Sequence, residues 1–363
     1  MTAQRSPRPH RARSRAIRAR MARTGEPYTV AARRLAESRP GTLHVTNGDV
    51  TVEVMRAAGI TAPILPWRDV LHDGPVPGGI GDVRLREIRA EFIAASGWSD
   101  RAAVLRDLTA RDATLTGAAS GTYVLWFEAD LYDQLQLIQV LDRLARAGVA
   151  PDRITLVSVG EYPGIAHFRG LGQLEPAQLL ALGEQGVVAT AADLAFASAA
   201  WRAFTAPEPT GLPEIARTHS PGLRFVADAF VRLQQEYPAL SDGLSLLQRR
   251  ILLAVEAGAA TAGEVFAEVS RREQRPYLGD LSCWAVVREL ATGRHPLLEC
   301  SPTPDEFAAR TVGLTDDGRA VLAGDTDQLS LRAIDRWIGG VHLHGDRVAW
   351  RFDDRRETVV RVG

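Results

Sequence analysis

The chain has 363 residues, enough for two or three domains, and an apolar fraction of 45%, which is that of an ordinary globular protein. Its 43 basic side chains are all arginine and face 44 acids; no apolar run approaches the roughly 20 residues that cross a bilayer, which excludes a membrane-spanning protein. The N-terminus has arginines but no apolar signal segment, so a cytoplasmic location and no membrane partner are expected.

The near-neutral total hides an asymmetry. Residues 1–39 hold 11 Arg and two Glu, a balance of +9, whereas the rest of the chain carries −10. An acidic body is a poor general binder of nucleic acid, which is held largely through its phosphates. The two cysteines, Cys283 and Cys300, have no CxxC spacing and no His/Cys cluster around them, so neither a disulfide framework nor a structural zinc is expected. The absence of lysine reads as the bias of a GC-rich genome.

In chain order, residues 1–39 are too poor in large apolar side chains to form a core, and read as a basic tail, disordered or partly helical around 14–21 and 30–36. It is either an arm for nucleic acid or an acidic partner, or a solvated extension. A folded α/β domain is predicted over 40–238. It opens with the strand TLHVT, a turn at Asn47-Gly48, and a helix capped by Asp49 and stopped by Gly59. A short strand at 62–65 leads into the irregular loop WRDVLHDGPVPGGIGD. Helices at 83–96 and 99–114 follow, then the apolar strand TYVLWF, an amphipathic helix at 130–146, and the strand ITLVSVG. This alternation predicts a mostly parallel sheet with flanking helices.

Residues 176–237 read as helices broken by Pro and Gly, and a boundary is expected near 238–243. Over 239–363, three short helices at 244–256, 261–272 and 280–292 precede PLLEC and a final pair of runs, VHLHG and RVAWRFDD, split at Gly345-Asp346. Three helices and a hairpin describe a smaller winged-helix-like α+β domain.

The stretches LHVTNGDVTVEVMRAAGI, WRDVLHDGPV and LWFEADLYDQLQLIQVLDRL, spanning 42–146, resemble a bacterial family known as domain of unknown function 1835. The segments RPYLGDLSCW, LTDDGRAVLAG and DRWIGGVHLHG look like the tail that accompanies it in some members. The resemblance implies no activity. It does imply a set of signature positions: His44, Asn47, Gly48, Asp49, Arg68, Asp69, His72, Gly74, Pro75, Trp126, Asp130 and Gln134.

Ligands of open parallel sheets bind beyond the carboxyl ends of the strands, where the strand order reverses. Three polar sets follow predicted strands here: Asn47-Gly48-Asp49, then Arg68-Asp69 with His72-Asp73, then Glu128 and Asp130. His44 joins them only if its face of the strand is the open one. His72 is a candidate general acid or base. Asp69, Glu128 and Asp130 are candidate oxygen ligands of a divalent metal, and Arg68 is a candidate clamp for carboxylate or phosphate. Each also has a structural reading. Asp49 and Asp130 stand where helices need caps, Arg68 and Asp69 could pair locally, His72 could stabilise a turn, and Trp126 fits a core.

The function expected is an enzyme or binding protein for a small polar, phosphorylated or nucleotide-like ligand. The alternative is a DNA-associated regulator using Arg271, Arg272, Arg275, Arg288 and the arginine tail, and a second alternative is a protein-interaction module. The helix over 280–290 has Trp284, Val287 and Leu290, which suit packing better than groove reading. No Walker loop, GxGxxG, nucleophile elbow or HExxH is present.

Overall fold

A five-stranded sheet organises the first part of the molecule, with strand order β2-β1-β3-β4-β5. The computed structural model describes residues 41–118, 121–165 and 167–362, with 17–18, 21–22, 25 and 27–30 ahead of them. Most of the arginine-rich stretch, and with it most of the helices expected at 14–21 and 30–36, therefore lies outside the described residues; of those described, 17–18, 21–22 and 28–30 are helical and Ile17 is buried.

β1 (Thr42–Thr46) pairs in parallel with both β2 (Ile64–Pro66) and β3 (Thr122–Glu128), and β3 pairs in parallel with β4 (Ile154–Val159). β5 (Val187–Val188), a two-residue edge strand with no predicted counterpart, runs antiparallel to β4. The chain steps from β1 outward to β2, then returns to the other side of β1 with β3. The strand order thus reverses between β1 and β3, and their carboxyl ends open a crevice there.

The helices that flank the sheet are α1 (Asp49–Ala57), α2 (Gly81–Ala95), α3 (Arg101–Gly117), α4 (Leu131–Arg146), α5 (Pro176–Glu184), α6 (Ala191–Thr205), α7 (Leu212–Arg217) and α8 (Val226–Gln234). Met55 of α1 and Leu179 of α5 pack with Trp126 and Val157 on one side of the sheet. α4 belongs to the other, larger core with Tyr123, Leu125, Phe127 and residues of α6 and α8. Although its sequence is amphipathic, α4 is buried almost all round, because its polar side is roofed by the loop after β2. Gln139 accepts from the Trp67 indole at 2.8 Å, and Gln136 donates to the Asp69 carbonyl at 2.9 Å. Buried amides of this kind persist because each has a partner.

The segment 239–363 divides between two hydrophobic clusters. α9 (Leu246–Glu256), α10 (Ala262–Arg272) and α11 (Asp280–Leu290) form their own core with β6 (Leu298–Cys300) and α12 (Asp316–Ala323). β6 pairs with β7 (Val312–Leu314), and a bridge links Thr261 to Thr311. After the short α13 (Gln328–Leu331), the last strands return to the first core, into which Ile334, Ile338, Val341, Leu343, Phe352 and Val359 are packed.

One expectation about these strands is corrected. VHLHG and RVAWRFDD are not partners of each other. β9 (Val341–Gly345) pairs with β8 (Ile334–Ile338), and β10 (Trp350–Asp353) pairs with β11 (Thr358–Arg361). The tight turn sits at Gly339-Gly340 instead, where φ is +58° at Gly339 and an added Cβ would collide with the Phe204 carbonyl. Among the described residues no helix is long and apolar enough to cross a membrane.

Candidate functional site

The β1–β3 crevice widens into a cavity of about 890 Å³ that reaches the helical part of the chain. Its floor is made by the loops after β1, β2 and β3, with Asn47, Arg68, Asp69, His72, Glu128 and Asp130. One wall is the α2–α3 hairpin, with Ile93, Trp98, Val104, Leu108 and Arg111, and the roof comes from α10, the 273–279 loop and α11, with Phe266, Tyr277 and Leu281. Six polar residues expected at the strand ends thus share one cavity. It has a polar floor and largely apolar upper walls.

The floor is tied together by hydrogen bonds across the strand ends. Asn47 donates to Asp133 Oδ1 at 2.8 Å and to Glu128 Oε2 at 3.3 Å. Asp133 Oδ2 accepts from the Glu128 backbone N–H at 2.6 Å, and Glu128 Oε1 accepts from that of Leu171 at 2.6 Å. Asp130 caps α4 as expected, accepting from the Asp133 N–H at 2.9 Å, and it also lines the cavity. Capping and siting in the cleft are therefore not exclusive.

Glu128, Asp130 and Asp133 are all buried and offer oxygens within 4.8 Å of one another. Burial pushes the Glu128 carboxyl up to about 8, helped by Asp130 and opposed by the Leu171 N–H and Asn47. Burial and the neighbouring Asp133 raise Asp130 well above the usual carboxylate range; burial and Glu128 do the same to Asp133. Three such acids share protons at neutral pH or take up a cation, and their oxygen-only donor set suits Mg²⁺ or Ca²⁺. Asp133, which was not among the expected site residues, belongs to this set in place of Asp69. Its position three residues after the Asp130 cap reads in sequence as an ordinary first-turn acid.

Asp69 is engaged elsewhere. Its Oδ1 accepts from Arg89 Nε at 3.0 Å and from a terminal nitrogen at 2.8 Å, with both side chains only 1% exposed. Arg89 also donates to the carbonyls of Val70 and Asp73, at 2.9 and 2.7 Å, so this pair is the staple of the loop that carries Arg68 and His72. Arg111, stacked 3.9 Å from the Trp67 ring centroid, lies on the far side of Asp69 at 3.8 Å. The expected Arg68–Asp69 pair does not form. Arg68 instead forks onto Asp49, with Nε to Oδ2 at 2.9 Å, on an exposed surface at the cavity mouth. Asp49 is consequently not the cap of α1. Gly48 occupies that position without a side-chain cap, and lies outside the cavity lining.

His72 is held edge-on between Tyr132 and Tyr277, with ring centroids at 5.7 and 5.2 Å. Its side chain is 5% exposed, and neither ring nitrogen has a hydrogen-bond partner among the described residues. Burial lowers its pKa, opposed by Asp73 and Glu236, so the imidazole is neutral at neutral pH. In that state it can accept a hydrogen bond or a proton. Tyr277 accepts from Arg232 at 3.1 Å, and Arg232 pairs with Glu273 and Glu236, each at 2.8 Å. Arg336 of β8 closes the set on Glu236 at 2.5 Å. This buried network joins α8, the roof loop and the C-terminal strands.

The remaining expected residues lie off the cavity. His44 faces the α1–α5 side of the sheet, where its Nδ1 accepts from the Trp126 indole at 3.0 Å; Trp126 is in that core. Gln134 is buried and donates to the Glu128 carbonyl. Of the arginines considered for DNA, Arg271 and Arg272 pair with Glu268, and Arg275 pairs with Asp228 at 2.8 Å. Arg288 is exposed over the Phe307 ring at 4.7 Å.

No family model matches the chain, and a comparison with curated proteins found no match. Among solved structures, the chain is similar to the Orc1 protein of Aeropyrum pernix in complex with DNA, at 13% identity and a TM-score of 0.20, covering 88% of this chain and 92% of that one. A superposition that loose carries no argument about function.

Proposed function

We propose that the protein binds a small, polar, anionic molecule of nucleotide or sugar-phosphate size between the carboxyl ends of β1–β3 and the helical roof. The observation that carries this reading is the shared cavity: about 890 Å³ at the strand-order reversal, lined together by Asn47, Arg68, Asp69, His72, Glu128 and Asp130. Its size and its mix of apolar walls with few convergent polar groups are those of ligand sites. Trp98, Leu108 and Phe266 suit a flat or apolar moiety, while Arg169 supplies positive charge for a phosphate or carboxylate, joined by Arg68 at the mouth if the anion displaces Asp49 from it. A divalent cation at Glu128, Asp130 and Asp133 would relieve their mutual repulsion and bridge to the anion. Neutral His72 would accept a proton or hydrogen bond from the ligand. We also propose, on the three sequence stretches over 42–146, that the sheet part belongs with the domain of unknown function 1835 family.

The reading as a DNA-associated regulator has less support. The start of α11, the third helix of the winged-helix-like arrangement, lines the cleft through Asp280, Leu281 and Ser282. Arg271 and Arg272 share the carboxylate of Glu268, and Arg275 is paired with Asp228, so the three carry little net charge for a phosphate backbone. No feature singles out the interaction-module reading.

The test is thermal-shift screening with nucleotides and sugar phosphates, with and without Mg²⁺. At a hundredfold excess over Kd a ligand stabilises the fold by about 2.7 kcal/mol. His72→Ala should remove most of the shift while the unliganded protein stays folded. A screen in which no phosphorylated compound raises the melting temperature would overturn the proposal.

A further inference from the structure

We infer that Asp335, His342 and His344 form a second ligand site, on the outer face of the β8–β9 hairpin, for one transition-metal dication of the zinc class. None of the three lines the cleft. The pattern here is a His-x-His on β9 completed by an acid on the preceding strand, β8.

The geometry follows from strand alternation. Ile334, Ile338, Val341 and Leu343 point inward and are buried, so Asp335, Trp337, His342 and His344 point outward. The antiparallel register sets Asp335 opposite His344 and Trp337 opposite His342. One donor atom from each of Asp335, His342 and His344 lies within 4.8 Å of the others. Both imidazoles turn to the same carboxylate: His342 Nε2 is 2.6 Å from Asp335 Oδ1, and His344 Nδ1 is 3.7 Å from Oδ2. The Trp337 ring stacks on His342 with centroids 4.4 Å apart and planes 3° from parallel, which fixes the imidazole's orientation.

Zinc–nitrogen and zinc–oxygen bonds of about 2.0–2.2 Å place donors roughly 3–4 Å apart, so small rotations of these exposed side chains close the set. Two imidazoles and one carboxylate suit Zn²⁺, Ni²⁺ or Cu²⁺ over Mg²⁺ and Ca²⁺, which prefer oxygen. Stabilisation of the hairpin does not account for the cluster. Exposed ion pairs contribute about 0–1 kcal/mol, and a second imidazole on one carboxylate adds little to the first. The inner side chains supply a rigid base, as a preorganised site requires. Three donors from one hairpin leave a fourth position for water or an outside donor.

The test uses the full chain titrated with Zn²⁺ by calorimetry and with Cu²⁺ by electron paramagnetic resonance. The site predicts one equivalent of Cu²⁺ coupled to two imidazole nitrogens, a signature that the oxygen-only acids of the cleft cannot give. His344→Ala should weaken Zn²⁺ binding by about tenfold or more, and the His342→Ala/His344→Ala double variant should lose one equivalent. Because both side chains are exposed, the metal-free melting temperature should be unchanged, which separates loss of ligands from loss of fold. Unchanged stoichiometry and affinity in the double variant, or a copper spectrum without nitrogen coupling, would overturn the inference. Neither result bears on the cleft.

Discussion

The amide of Asn47 donates to Asp133 Oδ1 at 2.8 Å, joining the turn after β1 to the first turn of α4 across the point where the strand order reverses. The same amide reaches Glu128, so one neutral donor group serves two buried acids.

Asn47→Ala leaves both acceptors without that donor in a buried setting. A lost partner of this kind costs about 1–3 kcal/mol. The urea midpoint should fall accordingly with the slope unchanged. Asn47→Asp should be worse at pH 8 than at pH 5, because it adds a fourth acid to the cluster. A pH-independent effect would show that the three acids do not share charge.

Stability should peak near pH 5. Glu128, raised to about 8, binds more protons folded than unfolded, so its contribution is full below its ordinary value of 4.5 and is lost as pH rises through about 8. Glu236 is the opposite case: despite burial, Arg232 and Arg336 lower it to about 2, so its contribution is full above 4.5 and is lost as pH falls through about 2. Melting temperatures from pH 2 to 9 should trace both limbs. Ca²⁺ or Mg²⁺ held by the cluster should raise the alkaline limb and leave the acid limb alone.

Arg89→Met removes the hydrogen-bonded cation from a fully buried pair and should destabilise the fold by up to about 3–5 kcal/mol, since Asp69 then keeps only Arg111, at 3.8 Å, as a counter-charge. Arg89→Met/Asp69→Leu should recover much of that loss. Chemical denaturation of the four proteins gives the cycle. If the single variant costs less than the double, the staple has been misidentified.

Gly170 lies against Glu128: a Cβ there would stand 2.5 Å from Oε1, with φ at +156°. Gly170→Ala must therefore push the carboxylate or the backbone aside. A cost of about 1–3 kcal/mol is expected from such overpacking, together with loss of any divalent-cation-dependent rise in melting temperature. Retention of that rise would place the cation elsewhere.

Much of this architecture was legible from local pattern. The apolar run Thr122–Glu128, the α4 periodicity and the Asp130 cap follow from short-range chemistry, and polar residues after three strands marked the crevice. The partners of those residues were not legible. Arg68 joins Asp49 and Asp69 joins Arg89, each roughly 20 positions away, because parallel crossovers bring distant segments to one edge. The roof of the cleft was hidden for the same reason, as Tyr277 and Leu281 come from a segment more than 200 residues after His72.

Periodicity and capping, which act within a few residues, were sufficient for the sequence to determine the sheet, its helices and the loops where chemistry could sit. Long-range packing alone decided which acids cluster, which arginines are spent on ion pairs, and that the helical part closes over the strand ends. The hairpin face makes the same point. The alternation that turns His342 and His344 outward is local, but Asp335 meets them only through a strand register that the Gly339-Gly340 turn sets and the core enforces.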